Sequence, residues 1–218
     1  VYMIIGGKDL LNGKRFDKGG YILTYDYDKW SFIDPKEAQK KLNLPRNPRD
    51  YTSIAVTTDD SNDEIVYASS MGDGVIQYKN GTPVQSYNEK NAFKETAGGY
   101  GSGYCYIDGL AFDKNGNLWM TSSEVNHAVL VLDKAGAWHR LDIEQLRGVY
   151  TINDILITST NDKWIYVPRN TPKLVMIPNS ESLDEVSSYE FTTLIDTDGK
   201  ELTPSNYTCV AEDKDGYI

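Results

Sequence analysis

Residues 108–121 read Asp108-Gly-Leu-Ala-Phe-Asp-Lys-Asn-Gly-Asn-Leu-Trp-Met-Thr121. An apolar strand runs into a polar Asp-Lys-Asn-Gly-Asn turn, and a second strand follows with an aromatic near its start. The pattern returns at Asp154-Ile-Leu-Ile-Thr-Ser-Thr-Asn-Asp-Lys-Trp-Ile-Tyr-Val167. It returns again over residues 53–69, with Ser53-Ile-Ala-Val56, an acidic turn and Ile65-Val-Tyr-Ala-Ser69, and in part at Cys209-Val-Ala-Glu-Asp-Lys-Asp-Gly-Tyr-Ile218. Self-similarity at a fixed spacing marks a repeat architecture and outranks any local reading.

The repeats align on their second-strand aromatics, Tyr2, Tyr67, Trp119 and Trp164, and on the first-strand centres Ala55, Ala111, Leu156 and Ala211. Third strands are expected at 21–25, 74–78, 128–132 and 173–177. Fourth strands are expected at 29–33, 84–87, 137–143 and 189–194, with Trp30 and Trp138 in equivalent places. Four short strands in about 45–55 residues is the size of a propeller blade. A single blade cannot cover both of its faces, whereas blades stacked around an axis cover one another. The fold class is therefore all-β, a partial β-propeller of about four repeats of four-stranded antiparallel blades. A flat β-sandwich would not demand the same aromatic at the same place in every repeat.

The chain reads as one propeller region over 1–218. Its blades lie at 1–33 (partial), 51–90, 105–143, 150–196 and 206–218 (partial), with a helical insertion at 34–50. Asp34 is the expected N-cap of that helix and Pro35 its first residue. Asn115-Gly116, Asp215-Gly216 and Asn80-Gly81 are expected to close tight hairpins with positive φ. Because the chain starts and stops at the same point of the repeat, it is expected to be a piece of a larger ring. A four-bladed ring closed by the two ends is the alternative.

Composition excludes several function classes. Of 218 residues, 22 are Lys or Arg and 32 are Asp or Glu, a net charge of −10. Nucleic-acid binding needs a basic footprint, and an anionic membrane surface repels such a chain. No apolar run approaches the length that spans a bilayer. The 16 Tyr residues, the 18 Gly and the 8 Pro fit strands and turns. Cys105 and Cys209 sit in apolar, strand-like contexts and are expected to be free thiols.

No catalytic or metal-binding signature appears. His127 and His139 lack Cys or Glu partners at ligand spacing. The Asp-Lys-Asn-Gly and Asp-Lys-Asp-Gly turns lack the remaining ligands of a calcium loop, and strands follow them. A non-enzymatic module without cofactor or metal is expected. Binding residues tend to sit on loops over a rigid scaffold. In an up-and-down blade the 2–3 loops and the blade connections share one face, and here they are the longer, less regular set. Tyr100, Tyr104, Asn126, His127, Arg169 and Asn170 are the ligand-binding candidates on that face, and their chemistry suits a polar, carbohydrate-like ligand.

The segments Gly109-Leu-Ala-Phe-Asp-Lys-Asn-Gly-Asn-Leu-Trp-Met-Thr121 and Cys209–Ile218 resemble the two-component-regulator propeller repeat of Bacteroidetes. Val66-Tyr-Ala-Ser-Ser-Met-Gly-Asp-Gly-Val-Ile-Gln-Tyr-Lys-Asn-Gly81, Ser86-Tyr-Asn-Glu89, residues 107–141 and Lys163-Trp-Ile-Tyr-Val-Pro-Arg169 resemble the N-terminal propeller of the PorZ-like family. That resemblance implies a cell-surface, outer-membrane-associated module of the type IX secretion system. Its implied partners are attachment-complex proteins or a surface glycan of lipopolysaccharide type. The second-strand endings depart from the repeat's usual Trp-x-Gly-Thr: Tyr67-Ala-Ser-Ser70, Trp119-Met-Thr-Ser122 and Trp164-Ile-Tyr-Val167 stand there instead. The alternative is the periplasmic, oligosaccharide-sensing propeller of a hybrid two-component histidine kinase.

Overall fold

The first four repeats fold into antiparallel meanders, as their alternation predicts. The computed structural model describes residues 1–7, 14–95, 103–168, 174–180, 182–184, 186–202 and 209–218. The first blade contains β1 (Tyr2–Ile5), β2 (Tyr21–Asp26) and β3 (Lys29–Ile33), followed by helix α1 (Pro35–Leu42). The second is β4 (Tyr51–Thr58), β5 (Glu64–Gly72), β6 (Gly74–Lys79) and β7 (Thr82–Tyr87). The third is β8 (Cys105–Phe112), β9 (Leu118–Ser122), β10 (Val129–Leu132) and β11 (Trp138–Leu141). The fourth is β12 (Ile155–Ile157), β13 (Lys163–Tyr166), β14 (Leu174–Ile177) and β15 (Tyr189–Phe191). A short hairpin, β16 (Leu194–Ile195) with β17 (Glu201–Leu202), comes after it.

The alignment of repeats coincides with the strand register. Ala55 lies opposite Tyr67, Ala111 opposite Trp119, and Leu156 opposite Trp164. Side chains alternate across a strand, so a fixed register sends each aromatic to one face. Tyr2 packs with Ile4 and Ile22 toward Val66, Ile76 and Tyr78 of the second blade. Tyr67 packs toward Phe112, Leu118 and Met120 of the third. Trp119 packs toward Ile155, Ile165 and Val175 of the fourth. The core thus lies between blades, as a propeller requires.

One five-residue turn recurs through the chain, at 59–63, 113–117, 133–137, 158–162, 196–200 and 213–217. Its first N–H donates to its fifth carbonyl at 2.8–2.9 Å, and its fourth N–H donates back to its first carbonyl. The fourth residue is left-handed in every case: Asn62, Gly116, Gly136, Asn161, Gly199 and Gly216. Where the first residue is Asp, its carboxylate also accepts backbone N–H bonds from inside the turn, as Asp113 does from Asn115 and Asn117 at 2.9 Å. Asn115-Gly116 and Asp215-Gly216 therefore do not form two-residue hairpins. Each belongs to a three-residue loop in which only the glycine has positive φ, a geometry that hairpins use next most often. Asn80-Gly81 does form the two-residue turn, with positive φ at both residues.

Asp113 extends this turn into the core. Its other oxygen accepts from Asn117 Nδ2 and from Trp119 Nε1, both at 2.9 Å, which fixes the indole against the fourth blade. The Lys163 ammonium lies 4.6 Å from the Trp119 ring centroid. Lys163 is buried, and that burial lowers its pKa against the opposing pull of Asp113 and Asp162.

Hydroxyls stitch the inner strands together. Ser69, two residues after Tyr67, donates to the Asp108 carbonyl of the next blade at 3.1 Å. Thr121, two residues after Trp119, donates to the Asn153 carbonyl at 2.7 Å and accepts from Gly109 N at 2.8 Å. The departures from Trp-x-Gly-Thr thus put a hydroxyl where that pattern has glycine, two residues past the aromatic, in the second and third blades. In addition β5 runs past its blade and pairs with β8, Met71 opposite Tyr106 and Gly72 opposite Cys105. This joins the second and third blades into one eight-stranded sheet.

Helix α1 begins as read: Asp34 accepts from Lys36 N at 2.9 Å, and Pro35 occupies the first turn. Ala38 seals the helix onto the first junction. The last fourth strand is shorter than the expected 189–194, because the chain leaves the ladder after Phe191 to enter the β16–β17 hairpin. Residues 209–212 form no strand pairing, although the turn at 213–217 keeps the repeat geometry. Both cysteines are free, Cys105 buried and Cys209 exposed.

Two outcomes follow from these junctions. A Cβ on Gly109 would stand 2.7 Å from Asp154 Oδ1 and from Ile155 N. Gly109→Ala is expected to destabilise by about 1–3 kcal/mol in urea unfolding, since packed strands give way poorly to added volume. His139 lies between Asp133 (3.0 Å) and Asp184 (3.3 Å), which joins β11 to the segment before β15. The hydrogen bond it donates to Asp133 leads in raising its pKa above 6.5, against burial and with help from Asp184. Its contribution is complete below the unfolded value and is lost as pH rises through the higher folded value. Asp184 is 88% exposed, so solvent screening limits the effect to about 0.5–1 kcal/mol. Unfolding curves on the two sides of neutrality should differ by this amount in the parent and not in His139→Gln.

Candidate functional site

The 2–3 loops and blade connections share one face, and there the first two blades build a charged cluster. Asp50 ends the connection from α1 and is fully buried with φ of 50°. Its carboxylate accepts from Asp17 N and Lys18 N at 2.9 Å and lies 3.6 Å from Arg15 Nε. Arg49 pairs with Asp17 at 3.0 Å. Arg46 grips Asp73 through two nitrogens, at 2.7 and 2.8 Å, and Asp73 also accepts from Arg49 N. Three guanidiniums thus interleave with three carboxylates, which ties the loop of the first blade to the Gly72-Asp73-Gly74 corner of the second. Hydrogen bonding to Arg15 outweighs a burial contribution and holds the Asp17 carboxyl below its usual range.

A cleft of about 250 Å³ opens beside this network, bounded by Arg46, Asp73, Asn88, Glu89, Lys90 and Gly103. It presents both signs of charge and amide groups, chemistry that suits a polar ligand. Among the described residues no group of three metal-ligating side chains exists.

Three of the six loop candidates lie within the described residues. Tyr104 is buried, edge-on to Tyr106 at 6.3 Å and packed with Met71. Burial raises its pKa, partly offset by the hydrogen bond from Arg15. It forms the floor beneath the charged network. Asn126 and His127 come together on the 2–3 loop of the third blade, held by Glu95. The Glu95 carboxylate accepts from Asn126 N at 2.7 Å and His127 N at 3.4 Å and is in contact with His127 Nδ1. Burial opposes ionisation of Glu95, but these bonds prevail and lower its pKa. Tyr100, Arg169 and Asn170 lie outside the described residues.

The sequence reading missed Arg46, Asp73 and Glu95. Asp73 carried a usable signal, an acid between two glycines where a chain turns sharply. Arg46 and Glu95 carried none, because their partners are remote in sequence.

Among the described residues no helix is long and apolar enough to cross a membrane. No protein-family model and no curated protein matches the sequence. Solved structures do match the fold. PorZ of Porphyromonas gingivalis, described as an essential bacterial surface component of the type IX secretion system, superimposes with a TM-score of 0.83 at 19% identity. The match covers 99% of this chain and 29% of that one. The extracellular domain of a hybrid two-component system from B. thetaiotaomicron superimposes with a TM-score of 0.55 at 18% identity, over 91% of this chain and 23% of that one. The chain spans less than a third of either structure. It is a partial β-propeller with the fold found in PorZ.

Proposed function

We propose that this chain is a non-catalytic, cell-surface propeller module of a PorZ-like type IX secretion protein. It engages attachment-complex proteins or a glycan of lipopolysaccharide type while cargo is attached. The observation that carries this reading is the superposition on PorZ along nearly the whole chain, closer than that on the two-component sensor domain. The charged loop face supports it as a contact surface. There the carboxylates of Asp17, Asp50 and Asp73 are engaged by guanidiniums and backbone N–H groups.

The test uses cells that express the intact parent protein. Protease added to whole cells should digest the propeller, and deletion of its gene should leave type IX cargo unattached in the medium. Recovery of the propeller in the inner-membrane fraction, on one polypeptide with a kinase, would contradict the proposal and favour a sensor.

A further inference from the structure

The opposite face, where the five-residue turns lie, is built from junctions that should all look alike, and one differs. At the third junction, Lys114 occupies the second place of its turn and reaches the fourth blade. Its N–H donates to Asn161 Oδ1 at 2.9 Å, and its ammonium meets the Ser159 carbonyl. In the fourth blade the same place is Ser159, whose N–H and hydroxyl donate to Glu212 of the next repeat at 2.7 and 2.5 Å. In the second blade the same place is Asp60. It is exposed and makes no hydrogen bond or ion pair among the described residues.

An open groove of about 490 Å³ results between the second and third blades. This volume lies in the range of small-molecule sites. Tyr67 and Phe112, with ring centroids 5.9 Å apart, line it together with Leu118 and Leu132. Thr58 and Asp60 stand on one side, Lys134 on the other.

We infer that this groove binds a neutral saccharide. An apolar, partly aromatic floor suits the C–H face of a sugar ring, and the polar rim suits its hydroxyls. Charge argues against an anionic ligand. Lys79 is already shared by Asp59 and Asp63 at 2.7 and 2.8 Å, which leaves Asp60 uncompensated on that wall. Backbone geometry argues against an extended peptide. The turns at 59–63 and 113–117 curl on themselves, with their first and fourth N–H groups donating inside the turn, so neither wall presents an extended strand edge. The site lies on the face opposite the loop candidates and does not depend on the secretion reading. Loss of saccharide binding with surface location intact would overturn this inference alone.

The experiment is an amide NMR titration of the folded chain with maltohexaose and mannohexaose. A sulfated heparin hexasaccharide and a lysine-rich peptide serve as comparison ligands. Binding of a neutral oligosaccharide should shift the amides of Asp60, Gly116 and Lys134. Asp60→Lys introduces the residue type that closes the third junction, and should weaken binding about tenfold or more. Lys114→Ala should leave binding unchanged. Asp60→Lys alters one exposed side chain, and its own amide spectrum reports whether it is folded. The inference is overturned if neither neutral oligosaccharide shifts groove amides at millimolar concentration. It is equally overturned if the shifts fall at Asn126 and His127, if the sulfated sugar or the peptide binds more tightly, or if folded Asp60→Lys binds as the parent does.

Discussion

The contact between Asp113 and Trp119 illustrates the constraint on which the propeller depends. A four-stranded blade has two faces and must bury both against neighbours. For that, one large side chain has to point the same way in every repeat. In the third blade the Asp113 carboxylate closes its own turn and grips the indole nitrogen, so turn geometry and side-chain direction are set by one group. Charge-assisted bonds of this kind are stronger than neutral ones. The aromatic then meets the apolar strands of the fourth blade, and the buried Lys163 ammonium lies over its ring. Thr121 repeats the link deeper in the junction, from hydroxyl to the next inner strand.

The sequence was most legible within a blade. The pairing of Ala55 with Tyr67, Ala111 with Trp119 and Leu156 with Trp164 could be read by aligning repeats, because register within a meander is a local property. The Asp34-Pro35 start of α1 was equally local. Relations between blades were much harder to read. The β5–β8 pairing, the reach of Ser69 to Asp108, and the grip of Glu95 on Asn126 and His127 each join residues from different repeats. Nothing near Glu95 in sequence announces the loop it will hold. The Asn115-Gly116 turn shows a subtler limit. The dipeptide signals a hairpin correctly, but the loop that forms has three residues and is capped by Asp113, two residues earlier.

The two faces of the disc have different physical characters. The loop face of the first two blades is knit by alternating Arg and Asp, with Tyr104 buried beneath. On the turn face the same pair of backbone bonds closes each turn, so its variation lies in the side chains at the second turn position: Asp60, Lys114 and Ser159. Lys114 bridges its junction and Ser159 is bridged in turn by Glu212, while Asp60 leaves the junction between the second and third blades open. A rigid scaffold that varies one residue per repeat can present distinct surfaces without altering its core.

Asp113 orients Trp119 and thereby couples the third blade to the fourth. Hydrogen exchange read by mass spectrometry, comparing the parent with Asp113→Ala, examines this coupling. Protection is expected to fall together in β9 and in β12–β13, across the junction, while β6–β7 are unchanged. A loss of protection confined to residues 113–117 would contradict it and reduce Asp113 to a local turn residue.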